Sequence, residues 1–204
     1  MTTTRWQRVG TAAGIVLGGV ALGIASTWLT LKNPLSASAE QVGAWRTSPH
    51  AGSADAGLYT RARVAVGALL ALSREETLYY VADRDDASRP LRSACSYRVD
   101  GVAPAARWWS ITAYADDFFL FPNEARIYSL NNRSARLDGA GRFTMLTGPQ
   151  DPNPPGTSTP LHWLPTPGDR GLMLTLRLYN PASSLAAAPA TLVPPRIRQV
   201  GDCK

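Results

Sequence analysis

LMLTLRLY, at residues 172–179, places a leucine at every second position. Side chains alternate between the two faces of a β-strand, so these leucines share one face. Arg177 and Tyr179 share the opposite face with Met173 and Thr175. The pattern predicts an antiparallel strand with one face in an apolar core and the other turned away from it.

Further candidate strands precede this one. Short runs rich in β-branched and aromatic residues, separated by turn residues, predict strands at 77–82, 93–99, 108–114, 127–130 and 143–147. Such a series is typical of a mainly β sandwich or barrel. The stretch Leu58 to Leu72 differs, because its apolar residues recur at helical spacing and predict one amphipathic helix of about four turns.

The N-terminal segment Val9 to Leu31 carries no charge. Its length of about 23 residues suffices to cross a bilayer core of about 30 Å. Arg5 and Arg8 precede it and Lys32 follows, a small bias that favours a cytoplasmic N-terminus. We therefore expect a single-pass protein of the cell inner membrane, with its soluble part facing the periplasm or exterior. The alternative is a signal peptide cleaved after Ala39.

This organisation predicts three parts. Residues 1–33 form a cytoplasmic stub and transmembrane anchor, 34–57 a juxtamembrane linker, and 58–204 a β-sandwich domain. Glycines at every fourth position of the span suggest a homodimer formed through close approach of two such helices. Glycine is also simply frequent in membrane helices, so this interpretation stays open.

The charge pattern argues against a nucleic-acid partner. Three of the 21 basic residues flank the span, which leaves 18 basic against 15 acidic residues in the remainder. Charges of both signs are interspersed there, whereas a nucleic-acid-binding protein concentrates basic residues on one face.

The chain has two cysteines, Cys95 and Cys203. Outside the cytoplasm a disulfide can persist, and only one intramolecular pairing exists. Closing a loop of this length would stabilise the fold by up to about 4.7 kcal/mol in the chain-entropy model. Two free thiols are the alternative.

No metal or cofactor is expected. The two histidines, His50 and His162, lie far apart and belong to no metal-ligand spacing such as H-E-x-x-H. No glycine-rich stretch has the strand–helix context of a dinucleotide site.

One group of residues suggests a ligand-binding site, because aromatic residues and arginines recur together along the predicted strands. Lining a concavity, guanidinium and phenol groups could hold an anionic or hydroxylated ligand. The candidate ligand-binding residues are Trp109, Tyr114, Asn123, Arg126, Tyr128, His162, Trp163, Arg177 and Tyr179. The alternative is that the aromatics fill the core and the arginines pair with carboxylates at its rim.

We therefore expect a membrane-anchored envelope module that binds a small polar ligand or a protein partner. An enzyme, such as a hydrolase, is a second hypothesis, although the sequence offers no recognisable nucleophile–base pair. A purely structural envelope protein is a third.

Several of these stretches also form a recognisable series. The blocks are YRVDG at 97–101, RWWSITAY at 107–114, PN at 122–123, RIYS at 126–129, HWLP at 162–165 and LRLYNP at 176–181. In order and approximate spacing, the chain from Leu78 to Ile197 resembles the domain of unknown function 1214 family. The stretch GAWRTS at 43–48 makes it most similar to short members with one N-terminal span.

The resemblance implies a jelly-roll-like β-sandwich and no established reaction. Two positions depart from the family pattern. His162 stands where the family often has Asn, and Trp108 where it often has Phe. If these positions touch a ligand, its identity differs here.

Overall fold

Two β-sheets and a long N-terminal helix make up the protein, as a computed structural model describes it for residues 5–31, 39–48, 52–53, 55–66, 72–153, 155–158 and 160–203. The helices are α1 (Arg5–Leu31), α2 (Leu58–Val66) and α3 (Ser183–Ala187), and a 3₁₀ turn spans Pro189–Thr191. The strands are β1 (Glu40–Val42), β2 (Trp45–Thr47), β3 (Thr77–Ala82), β4 (Tyr97–Val102), β5 (Ala106–Ala115), β6 (Ser129–Asn131), β7 (Arg142–Gly148), β8 (His162–Pro165), β9 (Leu172–Pro181) and β10 (Arg196–Gln199).

The larger sheet has six strands in the order β1-β2-β3-β9-β5-β6. Every neighbouring pair in it is antiparallel. The leucine-alternating stretch lies in β9, between β3 and β5, so the strand predicted at 172–179 is confirmed and is central to this sheet.

The smaller sheet has four strands in the order β10-β4-β7-β8. Its first two pairings are antiparallel, but β7 and β8 run parallel. The predicted antiparallel sandwich therefore departs from the structure at this one pair. The connection through residues 149–161 explains the difference, because a parallel pair needs a crossover of about a dozen residues.

The core lies between the inner faces of the two sheets, in a sandwich-like arrangement. From the larger sheet, Leu174, Leu176 and Leu178 are at most 1% exposed. Trp109 of β5 stacks on Phe143 of β7 with ring centroids 5.0 Å apart, a direct contact between the sheets. Burying a leucine of this kind stabilises the fold by about 1.5–3 kcal/mol. The mainly β fold is thus confirmed, and the jelly-roll connectivity stays a prediction.

Three short strand regions were not anticipated. Residues 40–47, assigned to the linker, form β1 and β2 of the larger sheet. Trp45 is 0% exposed, and its indole N–H donates to the Pro195 carbonyl at 2.6 Å. The C-terminal segment forms β10 and pairs with β4, and residues 162–165 form β8.

The N-terminal helix α1 contains the segment Val9–Leu29, which is long and apolar enough to cross a membrane. A signal sequence has the same properties, so the finding concerns length and composition alone. The helix predicted over 58–72 is observed as α2 up to Val66. Residues 67–71, Lys32, the cleavage motif at 37–38 and His50 lie outside the described residues.

A disulfide joins Cys95 to Cys203, as predicted. Cys95 is buried beside the start of β4, whereas Cys203 lies on the surface. The bond fixes the segment after β10 against this region, where the Val200 N–H also donates to the Ser96 carbonyl at 2.8 Å.

Candidate functional site

Arg177 lies on the outer face of the larger sheet, opposite the buried leucines of β9. Its cross-strand partners are Tyr79 on β3 and Ser110 on β5. Because alternate residues share a face, Thr112 and Tyr114 of β5 lie on the same side. The strand register thus gathers a cation and several hydroxyl groups on one surface.

The guanidinium of Arg177 is held by two hydroxyl groups. Its Nη2 donates to the Tyr114 hydroxyl at 3.0 Å, and its Nη1 donates to the Thr112 hydroxyl at 3.4 Å. The guanidinium carbon also lies 5.3 Å from the centroid of the Tyr114 ring, within cation–π range. These contacts hold the side chain along the sheet surface.

Two further tyrosines complete what we call the Arg177 cluster: Arg177, Thr112, Tyr114, Tyr79 and Tyr179. Tyr179 packs edge-on against Trp108 with ring centroids 5.3 Å apart. Burial raises the pKa of Tyr79, against the smaller opposing effects of a hydrogen bond to the Leu72 backbone and of the Arg177 charge. Tyr79 is therefore a neutral phenol at physiological pH.

Arg177 has no carboxylate partner among the residues that the structure describes. All 15 acidic residues of the chain lie in its described part, and none of them forms an ion pair with Arg177. The two other arginines described as partly buried are paired, Arg46 with Asp83 at 2.7 Å and Arg170 with Asp117. A charge withdrawn from water is costly when it lacks a counter-ion, so this cation is the exception.

The other sequence-predicted residues do not gather around Arg177. Trp109 is 2% exposed and stacks in the core, so its side chain is not available to line a surface groove. Asn123 closes its own loop, since its side-chain amide donates to the carbonyls of Phe121 and Ile127. Arg126 extends into solvent from a left-handed backbone position (φ 53°).

His162 and Trp163 lie in the smaller sheet, on β8. With Ile127 they line a hollow of about 270 Å³. The Trp163 indole N–H donates to the Gly148 carbonyl at 3.0 Å. The His162 Nε2 atom is buried and has no hydrogen-bond partner among the described residues. Burial, followed by the positive charge of Arg136, lowers the pKa of His162, and a hydrogen bond to the Ser129 backbone only partly opposes this.

The residues predicted to line one groove therefore lie on separate parts of the molecule. The structure brings together Tyr114, Arg177 and Tyr179, and it separates them from Trp109 and from the pair on β8. The sequence-based selection missed Tyr79 and Thr112. A signal for Thr112 existed, because Trp108, Ser110, Thr112 and Tyr114 alternate along one strand.

A second basic surface was not predicted from the sequence. On the outer face of the smaller sheet, a cleft of about 740 Å³ is lined by Arg98, Arg136, Arg142 and Arg196. Asp100 lies among them and accepts hydrogen bonds from Arg98 and Arg198 at 2.9 Å each. Burial acts to raise the pKa of Asp100, but hydrogen bonds from Thr144 and these arginines outweigh it and hold the pKa below its usual range.

The aspartates at 83, 85 and 86 are all engaged by arginines. Asp83 pairs with Arg46, Asp85 with Arg89, and Asp86 with Arg196. These contacts fit a polar turn held by ion pairs. No group of three or more His, Cys, Asp or Glu side chains placed to hold a metal ion occurs among the residues that the structure describes.

Comparison with known proteins identifies a family without a known activity. The model of the family described as "Protein of unknown function (DUF1214)" matches residues 76–183. That range contains every member of the Arg177 cluster. No curated protein matches the chain.

Two solved structures are similar. The VPA0106 protein from Vibrio parahaemolyticus is 17% identical with a TM-score of 0.60, over 98% of this chain and 47% of that one. An uncharacterised protein from Burkholderia cenocepacia is 19% identical with a TM-score of 0.41, over 61% of this chain and 29% of that one. The chain spans less than half the length of either protein, and the Vibrio likeness concerns the fold alone.

Proposed function

The chain belongs to the DUF1214 family of proteins of unknown function, and from that premise we propose that it is a membrane-anchored envelope protein that binds a small anionic ligand through Arg177. A hydroxylated ligand carrying a carboxylate, such as a sugar acid, fits the same surface. The proposal rests on one observation: a partly buried guanidinium that hydroxyl groups hold in place and that no carboxylate of the described residues neutralises.

The chemistry of the Arg177 cluster suits an anion. A guanidinium has five N–H donors, and among the residues that the structure describes only two nitrogens of Arg177 donate, one to Thr112 and one to Tyr114. The remaining donors form the planar fork that binds carboxylate or phosphate in bidentate fashion. The nearby tyrosine hydroxyls can donate to or accept from the hydroxyl groups of a ligand.

The surroundings of the cluster limit competition from water. Ser110, Thr112 and Thr175 on this outer face are at most 7% exposed, although they are polar. Charge-assisted hydrogen bonds are stronger where water is partly excluded. A carboxylate that replaces the missing counter-ion therefore stabilises the site more than it would an exposed arginine.

Helix α1 and the disulfide support the proposed location of the domain. We place α1 across the inner membrane with its N-terminus in the cytoplasm, because Arg5 and Arg8 precede the apolar segment. The Cys95–Cys203 disulfide suits an oxidising compartment. The binding domain then faces the periplasm or exterior, where small solutes reach it without crossing the inner membrane.

The test is thermal unfolding of the full chain in non-ionic detergent micelles. Phosphate, sulfate, citrate and galacturonate are added as separate probes. At a concentration of 100 times Kd, a ligand stabilises the folded state by about 2.7 kcal/mol. We expect at least one probe to raise the Tm of the wild type and of the control Arg142→Gln. The same probe should leave the Tm of Arg177→Gln unchanged.

Two results would contradict the proposal. Either no probe shifts the wild type, or the same probe shifts Arg177→Gln equally. Arg142 is a suitable control because it is exposed, lies on the other sheet and pairs with Asp138 at 2.7 Å.

A further inference from the structure

The cleft on the smaller sheet has the size of a ligand site. Its volume of about 740 Å³ lies within the range of about 300–1,000 Å³ typical of binding pockets. Strands β4 and β7 form its floor, and residues 136–138, 160–162 and 193–196 form its walls. It is open to solvent and lies on the opposite outer face from the Arg177 cluster.

Positive charge exceeds negative charge in this cleft. Asp100 is shared by Arg98 and Arg198, so one carboxylate serves two guanidinium groups. Arg136 has no carboxylate partner among the described residues, and its Nη1 donates to the Pro160 carbonyl at 2.6 Å. Only Arg142 and Arg196 have a carboxylate each, Asp138 and Asp86. The five guanidinium groups in and beside the cleft therefore face three carboxylates, which leaves two positive charges uncompensated.

Four aliphatic residues of the cleft, one on its floor and three on its walls, are exposed. Val102, Leu137, Leu161 and Val193 are 50%, 46%, 47% and 79% exposed. All four line the same cleft. Exposed apolar residues that cluster beside polar groups mark interaction sites more often than scattered ones do.

We infer that this cleft binds a short peptide segment of a partner protein that carries acidic and aliphatic side chains. Its carboxylates supply the negative charge that the cleft arginines lack, and its aliphatic side chains cover the four exposed aliphatic residues. Burying those side chains supplies affinity, and the arginines select the charge of the segment.

The observations favour a peptide over two other polyanionic occupants. Sugar rings stack on aromatic side chains, but the exposed walls are aliphatic, and Phe143 is 3% exposed. An acyl chain needs an enclosed apolar cavity, but this cleft is open and has guanidinium groups on its floor. An acidic peptide satisfies both the aliphatic walls and the charges.

The experiment measures fluorescence anisotropy of a labelled peptide, Glu-Leu-Glu-Leu-Glu-Leu, with the full chain in non-ionic detergent micelles. Lys-Leu-Lys-Leu-Lys-Leu is the control peptide. We expect saturable binding of the acidic peptide alone, weakened at least tenfold by Arg136→Glu and by Val193→Asp. Arg133→Glu is the matched control, since it makes the same charge change at an exposed position outside the cleft and is expected to alter Kd less than twofold.

Arg177→Gln separates this inference from the proposed function. It should abolish the response to small anions while leaving peptide affinity unchanged, since the two surfaces lie on opposite faces. The inference is overturned if the acidic peptide does not bind, or if Arg133→Glu and Arg136→Glu weaken it equally. Binding of polygalacturonate or of anionic phosphatidylglycerol vesicles in place of the peptide would also overturn it.

Discussion

The outer faces of the two sheets use the same residue type in opposite ways. On the larger sheet, Arg177 is partly buried, bound to hydroxyl groups and without a carboxylate. On the smaller sheet, Arg98, Arg142 and Arg198 are exposed and each contacts an aspartate. An arginine at an outward strand position is therefore not informative by itself, because its burial and its partners decide what it can bind.

The strand register produces this difference. Arg98 and Arg198 are cross-strand partners, a repulsive arrangement that Asp100, two positions along β4, relieves. The cross-strand partners of Arg177 are Tyr79 and Ser110, which bring hydroxyl groups but no charge. In our proposal, an anionic ligand supplies the charge that the second arrangement lacks.

The largest expected effect is that of a substitution on the leucine face of β9, the face opposite Arg177. Leu176→Ala removes a core side chain that is 1% exposed and should lower the free energy of unfolding by about 2–5 kcal/mol. Urea unfolding followed by tryptophan fluorescence measures it. A cost below about 1 kcal/mol would show that the leucine face of β9 does not carry the core.

The second-largest expected effect is that of removing the disulfide, which attaches the C-terminal segment beside the smaller sheet. Cys203→Ser opens the disulfide and should cost about 2–4 kcal/mol. The wild type reduced with dithiothreitol is the control and should unfold at the same urea midpoint. If both unfold at the urea midpoint of the oxidised wild type, the disulfide does not stabilise the fold and the pairing of β10 with β4 suffices to hold the C-terminal segment.

Arg177→Met tests the contrast between the outer faces directly. Removing an uncompensated charge should leave the free energy of unfolding unchanged or raise it by up to about 1 kcal/mol, since binding sites are often suboptimal for stability. Arg142→Met, at an exposed pair, should change it by less than about 0.5 kcal/mol. A loss above about 1 kcal/mol for Arg177→Met would instead make Arg177 a structural residue.

The smallest expected effect is a pH dependence at His162. Its folded-state pKa lies below the ordinary value of 6.5, so the fold favours the neutral imidazole. Stability is then complete above about pH 6.5 and declines as the pH falls from there toward the folded-state pKa. His162→Asn should remove the decline in Tm between pH 7 and 5.

The only other histidine provides the control for this measurement. His50→Asn should keep the decline. If His50→Asn abolishes it, or if His162→Asn retains it in full, His162 is not the group responsible.

Periodicity predicted the long strands and missed the short ones. Leucine alternation located β9, and dense β-branched and aromatic residues located β3, β5 and β7. The three-residue strands β1 and β2 are too short to show alternation, and they form because Trp45 packs in the core beneath the Pro195 carbonyl. Only tertiary contacts identify such strands.

The candidate site was predictable to the extent that it depends on a single strand. Alternation correctly placed Arg177 and Tyr179 on the face opposite the leucines. Trp109 was grouped with them because aromatic residues and arginines recur together along the predicted strands, yet it faces the core. Tyr79, the cross-strand partner of Arg177, and the cleft arginines needed the register between strands, which the sequence does not contain.

The Cys95–Cys203 bond also makes a closed loop of the chain between those positions. All strands from β4 to β10 lie within it. A single proteolytic cut anywhere inside, for instance between β7 and β8, leaves both fragments joined to each other. A nicked molecule would thus migrate as one band until it is reduced, and it would keep every strand needed to reassemble the same two sheets.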